Sequence, residues 1–472
     1  MIKYDFDAQL IGEEGGKVPV FCEVQPPHVA GQKAQIRMSV PVQHLPQTPP
    51  RSPCKLVGTC GALAIKLEGV HWRTFPTSSP FTLGLEEVEL LHVDRLIVKF
   101  PTSGTKREIR FHLAPISFLR SASSLTRLGS ASHSEELFVL DLPGIGVTSF
   151  VMEWVTRYQR DAEIPGASIS IGFSAVVCLS EHGKQDVDEL VTQFKKALDV
   201  LSVLFRQAVS LHGWTYRDNE IISTWISPLD PNVTCSAHED RGEYVARPQG
   251  FAECATGLAQ AFGKADKAVQ SLTRHLSLAL NPHQNLRGSD HFMFMFAAFE
   301  RVIEYAWMRE KASFGQTSTT GTLVKHLEEL NKAILAEGGE DAPTISARIK
   351  GLIGIVGGPS YRDKLQAFLR VYPTMGIYSR DLWPIVGTEK ERGLRELRNA
   401  IAHGSSSFVS VNVVAVAEWH LAILIERVIF VLLNLAVPEG ITPDSYLLKA
   451  GARGWYEREW WEPLRIEVDQ PI

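Results

Sequence analysis

Short runs of alternating apolar and polar residues fill the first part of the chain, with turn residues between them. Such runs cover Val18 to Val24, Ala34 to Val42, Ala62 to Leu67, Leu96 to Phe100 and Glu108 to His112. A period of two sends alternate side chains to opposite faces of a strand, and the clusters Gly15-Gly16, Pro26-Pro27 and Pro46 to Pro53 separate one strand from the next. The pattern predicts an antiparallel β-rich region. The serine-rich stretch Ser121 to Ser134 reads as a surface loop. Strands resume at Leu137 to Leu140 and Ser168 to Leu179, and a helix follows from about Gln185 to Gln207. Val187, Leu190, Val191, Phe194, Leu198, Leu201 and Leu204 supply the helical spacing there. A strand at Glu220 to Ile226 and the turn Pro228-Leu229-Asp230-Pro231 close this half.

From about Gly250 the period becomes helical. Helices are predicted over Ala252 to Phe262, Asp266 to Leu278, His291 to Lys311, Thr320 to Ala336, Ala342 to Ile355, Tyr361 to Val371, Lys390 to His403 and Val411 to Leu435. The expected fold is therefore α+β: an N-terminal antiparallel β-rich domain over 1–245, an all-α helical bundle over 250–440, and a tail at 441–472 packed on the body. No internal repeat is visible. The helix from His291 opens Phe292, Met293, Phe294, Met295, Phe296, Ala297, Ala298 and Phe299, apolar on every side, and should run through the middle of the bundle.

Composition narrows the function classes. The chain has 472 residues, 44% of them hydrophobic and 21% charged, the usage of a folded protein of two or three domains. A formal net charge of -5 provides no overall basic field, so any nucleic acid must be held locally. Six cysteines stand scattered without a Cys-x-x-Cys pair, which fits free thiols in a reducing, cytoplasmic compartment. The start, Met1 to Asp7, carries acids where a signal peptide has a basic region. The longest apolar stretch, Leu421 to Val437, is interrupted by Glu426 and Arg427, so it reads as a buried helix and not a membrane span.

Several sites with chemical potential reduce to simpler readings. Cys235-Ser236-Ala237-His238 has the spacing of half a zinc site, but no second pair follows. Asp141 to Gly146 lacks the Lys-Ser/Thr of a phosphate-binding loop and reads as a turn. Trp455, Tyr456, Trp460 and Trp461 can tie the C-terminus to the body or stack bases. No metal or cofactor site is expected.

The segment Leu394 to Gly404 carries the candidate chemistry. Leu394, Leu397 and Ile401 form one apolar face, Asn399 and His403 point away from it, and Arg398 lies on the flank. Ala400 and Ala402 keep the polar side open to close approach. His is the side chain that moves protons near neutral pH, and Arg offers a permanently charged fork to a phosphate. Glu300, on a very apolar helix, needs a partner, and Arg398 is one it can hold.

Arg398-Asn399-Ala400-Ile401-Ala402-His403, placed late in an all-helical region and before one long apolar helix, resembles the active-site motif of the HEPN superfamily of ribonucleases. An acid on an earlier helix, here in Phe299-Glu300-Arg301, also resembles that layout. With a β-rich domain in front, the closest resemblance is to the ApeA-type anti-phage HEPN proteins. That resemblance implies a metal-independent endoribonuclease acting as a homodimer on cellular RNA such as tRNA, in an abortive-infection or toxin role set off by a phage-derived trigger. It implies catalytic Arg398, Asn399 and His403, with Glu300 in support. The alternative is a non-catalytic HEPN module for binding or dimerisation.

Overall fold

The computed structural model describes residues 3–442 apart from 13, 27–33, 78–83, 103–106, 115–131, 160–165, 180–185, 219, 228–247, 283–285, 287, 311–317, 358, 389–391 and 404–409. Six strands come first: β1 (Tyr4–Ile11), β2 (Lys17–Gln25), β3 (Gln35–Pro41), β4 (Cys54–Cys60), β5 (Leu63–Thr74) and β6 (Leu85–Pro101). They pair antiparallel in the cycle β1-β2-β3-β6-β5-β4 and back to β1, which closes a barrel. Closure leaves no free edge among these strands. Alternation fills the interior: Phe6, Ala8 and Leu10 of β1 are buried while Asp5, Asp7 and Gln9 face out. Gly58 of β4 makes room for Phe6, because a Cβ there would collide with the Phe6 ring. Cys22 sits inside the barrel, and burial pushes its thiol up to about 12.

The 17-residue β6 is longer than the expected strand at Leu96 to Phe100, because the acids Glu86, Glu87, Glu89 and Asp94 break up the apolar pattern of its first half. Its C-terminal part pairs with β5 on one side and with β12 (Glu220–Ile226) on the other. A second antiparallel sheet grows from that seam in the order β12, β11 (Leu211–Arg217), β7 (Glu108–Leu113), β10 (Gly166–Cys178), β9 (Gly146–Gln159) and β8 (Ser132–Leu142). The segment read as a loop therefore ends early, since Ser132 already belongs to β8, and 121–131 lie outside the described residues. Asp141 to Gly146 does form the turn between β8 and β9, closed by the Ile145 N–H donating to Leu142 O at 3.1 Å, with Gly144 at φ 75°.

One face of this sheet packs on α1 (Val187–Phe205), where Phe111 stacks on Phe194 with ring centroids 3.9 Å apart. The opposite face is polar: His112 Nε2 and Thr215 Oγ1 are 2.9 Å apart, Thr215 Oγ1 and Ser223 Oγ are 3.0 Å apart, and Arg110 pairs with Glu153.

Helices make up the rest: α2 (Pro248–Lys264), α3 (Lys267–Leu280), α4 (Ser289–Glu310), α5 (Ser318–Glu337), α6 (Ala342–Gly357), α7 (Tyr361–Val371), the one-turn α8 (Met375–Tyr378), α9 (Leu394–Ala402) and α10 (Val411–Leu432). The architecture is α+β, as the sequence pattern predicts. Helix α4 runs through the core on Phe292, Met295, Phe296 and Phe299, but it is not buried on every side, since Phe294 is exposed. Among the described residues no helix is long and apolar enough to cross a membrane, and none of Cys22, Cys54, Cys60, Cys178 and Cys254 is disulfide-bonded. The segment Cys235 to His238 and the Trp-rich tail lie outside the described residues.

Two hydrophobic cores result. One fills the barrel, from Phe6 to Val98. The other runs from Ile109 to Ile441, so the second sheet, α1 and the helices share one interior across the 245–250 junction. A buried ion pair crosses that junction: Arg206, the left-handed cap of α1 at φ 48°, donates from Nε and Nη2 to both oxygens of Glu426 at 3.0 and 2.9 Å. Next to it on α10, Arg427 forks onto Asp381 at 2.6 and 2.8 Å and donates to the Ile441 carbonyl.

Removing one member of a buried pair strands the other charge. Glu426→Ala should therefore cost about 3–5 kcal/mol. Replacing both by apolar residues, Arg206→Met with Glu426→Leu, should cost much less. Urea unfolding measures both, and equal losses would show that the pair itself is not the determinant.

Stability should also depend on His112 and His212. Burial holds both imidazoles down to about 4, with Arg110 and His212 adding to the effect at His112. Below about pH 6.5 the unfolded chain protonates these groups and the folded chain does not. Their contribution is complete above that pH and is lost as pH falls toward 4. A urea midpoint that falls between pH 7.5 and 5, and falls less in His112→Gln/His212→Gln, is the expected result.

Candidate active site

Helix α9 is short, and its start is built by the segment before it. Gly393 is extended at φ -93°, ψ 177°, and a Cβ there would collide with the backbone of Val386 and Gly387. Glu396 Oε2 accepts from the N–H groups of both Gly387 and Gly393 at 2.9 Å. The next two helical N–H groups, of Leu394 and Arg395, donate to Pro384 O at 2.9 Å and Ile385 O at 3.0 Å. Donors that a helix start normally leaves unmet are thus satisfied by protein. Trp383 pins this segment: its indole N–H donates to Arg392 O at 2.8 Å and its backbone N–H to His420 Nδ1 of α10 at 3.1 Å. The helix consequently begins at Leu394, later than the expected Lys390.

Leu394 and Leu397 are buried beneath α9, and the motif residues lie on its other sides. The Arg398 guanidinium donates from Nη2 to Glu300 Oε2 of α4 at 3.4 Å and from Nη1 to Asn399 Oδ1 at 3.2 Å. Both members of the Arg398–Glu300 pair are about one-third exposed, at 33% and 32%. His403 caps the helix, its N–H donating to Asn399 O at 3.0 Å, and is exposed. The structure thus brings Arg398, Asn399 and Glu300 together, with His403 at the open end of the same helix. Asn399 spends its side-chain oxygen on Arg398 rather than on the imidazole. Glu304, one turn after Glu300 on α4, pairs with Lys364 of α7 at 2.5 Å.

Two residues join this group that spacing in the sequence does not single out. Arg395 lies over the ring of Tyr361 at 4.7 Å, and that ring stacks on Phe296 at 6.5 Å. The Tyr361 hydroxyl is buried with no hydrogen-bond partner among the described residues. Burial, and then the Glu300 carboxylate, raise its pKa, while Arg395 and Arg398 oppose the shift. Tyr361 opens α7 far from the motif in sequence, so only the packing of α7 on α4 brings it here. A hollow of about 580 Å³ lies elsewhere, lined by Lys264, Asp266, Arg309 and Asn434 among others. Among the described residues no group of three or more His, Cys, Asp or Glu stands in position to hold a metal ion.

A comparison with family models, curated proteins and solved structures gives no significant match for this chain.

The exposure of the motif separates site from scaffold. Because the Arg398–Glu300 pair is partly solvated, Arg398→Ala and His403→Ala should each change stability by no more than about 1 kcal/mol. Thermal melts of the two variants check this, and a collapsed melt would assign the motif a structural role.

Proposed function

We propose that this protein is a metal-independent endoribonuclease of the HEPN type that works as a homodimer. The observation that carries the reading is the guanidinium of Arg398, held by Glu300 and Asn399, on the same short helix as an exposed His403. In this reading the ribose 2′-hydroxyl attacks the adjacent phosphorus, the bond from phosphorus to the 5′-oxygen breaks, and His403 either takes the 2′-hydroxyl proton or gives one to the leaving 5′-oxygen. Arg398 stabilises the negative charge gathering on the phosphorane oxygens, while its long contacts to Glu300 and Asn399 leave the fork able to turn toward the phosphate. Tyr361 and Arg395 extend the polar group toward α7. The substrate is cellular RNA, with tRNA the class that the resemblance implies. In the same reading the β-rich half receives a phage-derived trigger, in an abortive-infection role. Two copies related by a two-fold axis bring two Arg and two His into one cleft.

A second reading has an observation in its favour. The Arg398 charge already has a carboxylate partner, as it would in a non-catalytic binding or dimerisation module.

Activity separates the two. His403→Ala and Arg398→Ala should each slow cleavage of RNA by roughly 10²- to 10⁴-fold with unchanged melts. Digestion in EDTA should leave 2′,3′-cyclic phosphate, or its hydrolysed form, and 5′-hydroxyl ends, and RNA blocked at the 2′-hydroxyl should resist. Products with 5′-phosphates, or activity lost on chelation and restored by Mg²⁺, would place the chemistry on other residues. No cleavage of total RNA by the wild type under any condition favours the module.

A further inference from the structure

Helices α5 and α6 pack on each other and scarcely touch the rest of the protein. Only the short link 338–341 joins them, so they run antiparallel as a helical hairpin. The seam between them takes Leu327 and Ile334 of α5 and the buried Ala342, Ser346 and Ile349 of α6. That seam does not use up the apolar residues. Leu323 and Leu330 of α5 are 48% and 50% exposed, and Ile345 and Leu352 of α6 are 40% and 48% exposed.

Each exposed pair is spaced by seven residues, which keeps it on one side of its helix. At roughly 100° per residue, each pair lies to one side of its own seam residues, by about 40° on α5 and about 75° on α6, in the same rotational sense on both helices. Because the helices are antiparallel, rotation in one sense brings both pairs to the same face of the hairpin. The result is a two-helix layer with an apolar seam inside and a second apolar face outside. Such a layer is half of a four-helix bundle.

Charge selects the occupant of that face. Helix α5 carries Glu328, Glu329 and Glu337 against Lys325 and Lys332, whereas α6 carries Arg348 and Lys350 and no acid. Arg348 and Lys350 are exposed, with no carboxylate partner among the described residues. Glu329 stands beside the exposed His326 at 3.5 Å, with Lys325 and Lys332 one turn away on the same helix. A two-fold axis parallel to the helices lays the acidic α5 of one copy over the basic α6 of the other, twice. The face is then self-complementary in both shape and charge, which an isologous interface requires.

We propose that the α5–α6 hairpin is a dimerisation element that closes into an antiparallel four-helix bundle with the same hairpin of a second copy. Leu323, Leu330, Ile345 and Leu352 fill its centre, and Glu329 faces Arg348 of the other copy at its rim. This holds whether or not the protein cleaves RNA.

Light scattering of the full chain at micromolar concentration tests it. The wild type should have the mass of a dimer, and Leu323→Glu/Leu330→Glu should have that of a monomer with an unchanged helical circular-dichroism signal. Glu329→Arg and Arg348→Glu should each weaken the dimer by about 10-fold, and their combination should restore it. That rescue would not follow from damage to the fold. A monomeric wild type, a dimer that survives the double leucine change, or charge reversals whose losses add would each overturn the proposal. The second of those results would leave the dimer of the proposed function resting on the α9 face alone.

Discussion

The Arg206–Glu426 pair is the constraint from which the arrangement of the second core follows. Neither charge meets water, and each guanidinium nitrogen in the fork has its own carboxylate oxygen. Two buried charges add little net stability, because desolvation offsets most of their attraction. What they supply is definition, since α1 and α10 both pack on α3 and a placement that parted Arg206 from Glu426 would strand two charges in an apolar interior. The pair therefore fixes how the sheet carrying α1 meets the helices. Arg427, one residue along, fixes the other side of α10 by holding Asp381 and the Ile441 carbonyl. The two charges that interrupt the most apolar stretch of the sequence are thus its points of attachment.

From α10 the constraint passes to the candidate site through contacts that can be named. His420 accepts from Trp383, Trp383 holds Arg392, and the carbonyls of Pro384 and Ile385 receive the first donors of α9. Ion pairs from Glu304 to Lys364 and from Glu310 to Arg370 bind α7 to α4, which carries Tyr361 under Arg395. The Arg398 environment is therefore set by three helices far apart in sequence. A nine-residue helix would not hold its shape alone.

Much of this was legible in the sequence, and the failures have physical causes. Periodicity located α7 at Tyr361–Val371 and the start of α10 at Val411, because strong apolar spacing and good caps such as the Ser360–Asp363 box agree there. β1 was equally legible from the alternation of Phe6, Ala8 and Leu10, although the expected strands begin only at Val18. Closure of the barrel through β3 and β6 was not legible, because register between distant strands leaves no local trace. Arg398, Asn399 and His403 could be assigned to faces of a helix, and Glu300 could be paired with Arg398 by its need for a partner. Tyr361 and Arg395 could not be found, since neither is unusual until α7 lies on α4.

The arginines of this protein divide by how they are held, and that division bears on the site. Arg206 and Arg427 are buried and forked, with carboxylate bonds between 2.6 and 3.0 Å, so moving either would leave a charge unmet in the core. Arg398 makes one carboxylate contact at 3.4 Å while one-third exposed, and Arg395 rests on an aromatic ring with no carboxylate partner among the described residues. Arginines in the second condition can turn toward an incoming anion at small cost, because what they leave is long, solvated or uncharged. A purely structural role for Arg398 would be better served by the tight geometry that the same chain builds twice elsewhere. The looseness of the Arg398 contacts therefore favours a guanidinium kept in reserve for a phosphate over one whose task is already complete.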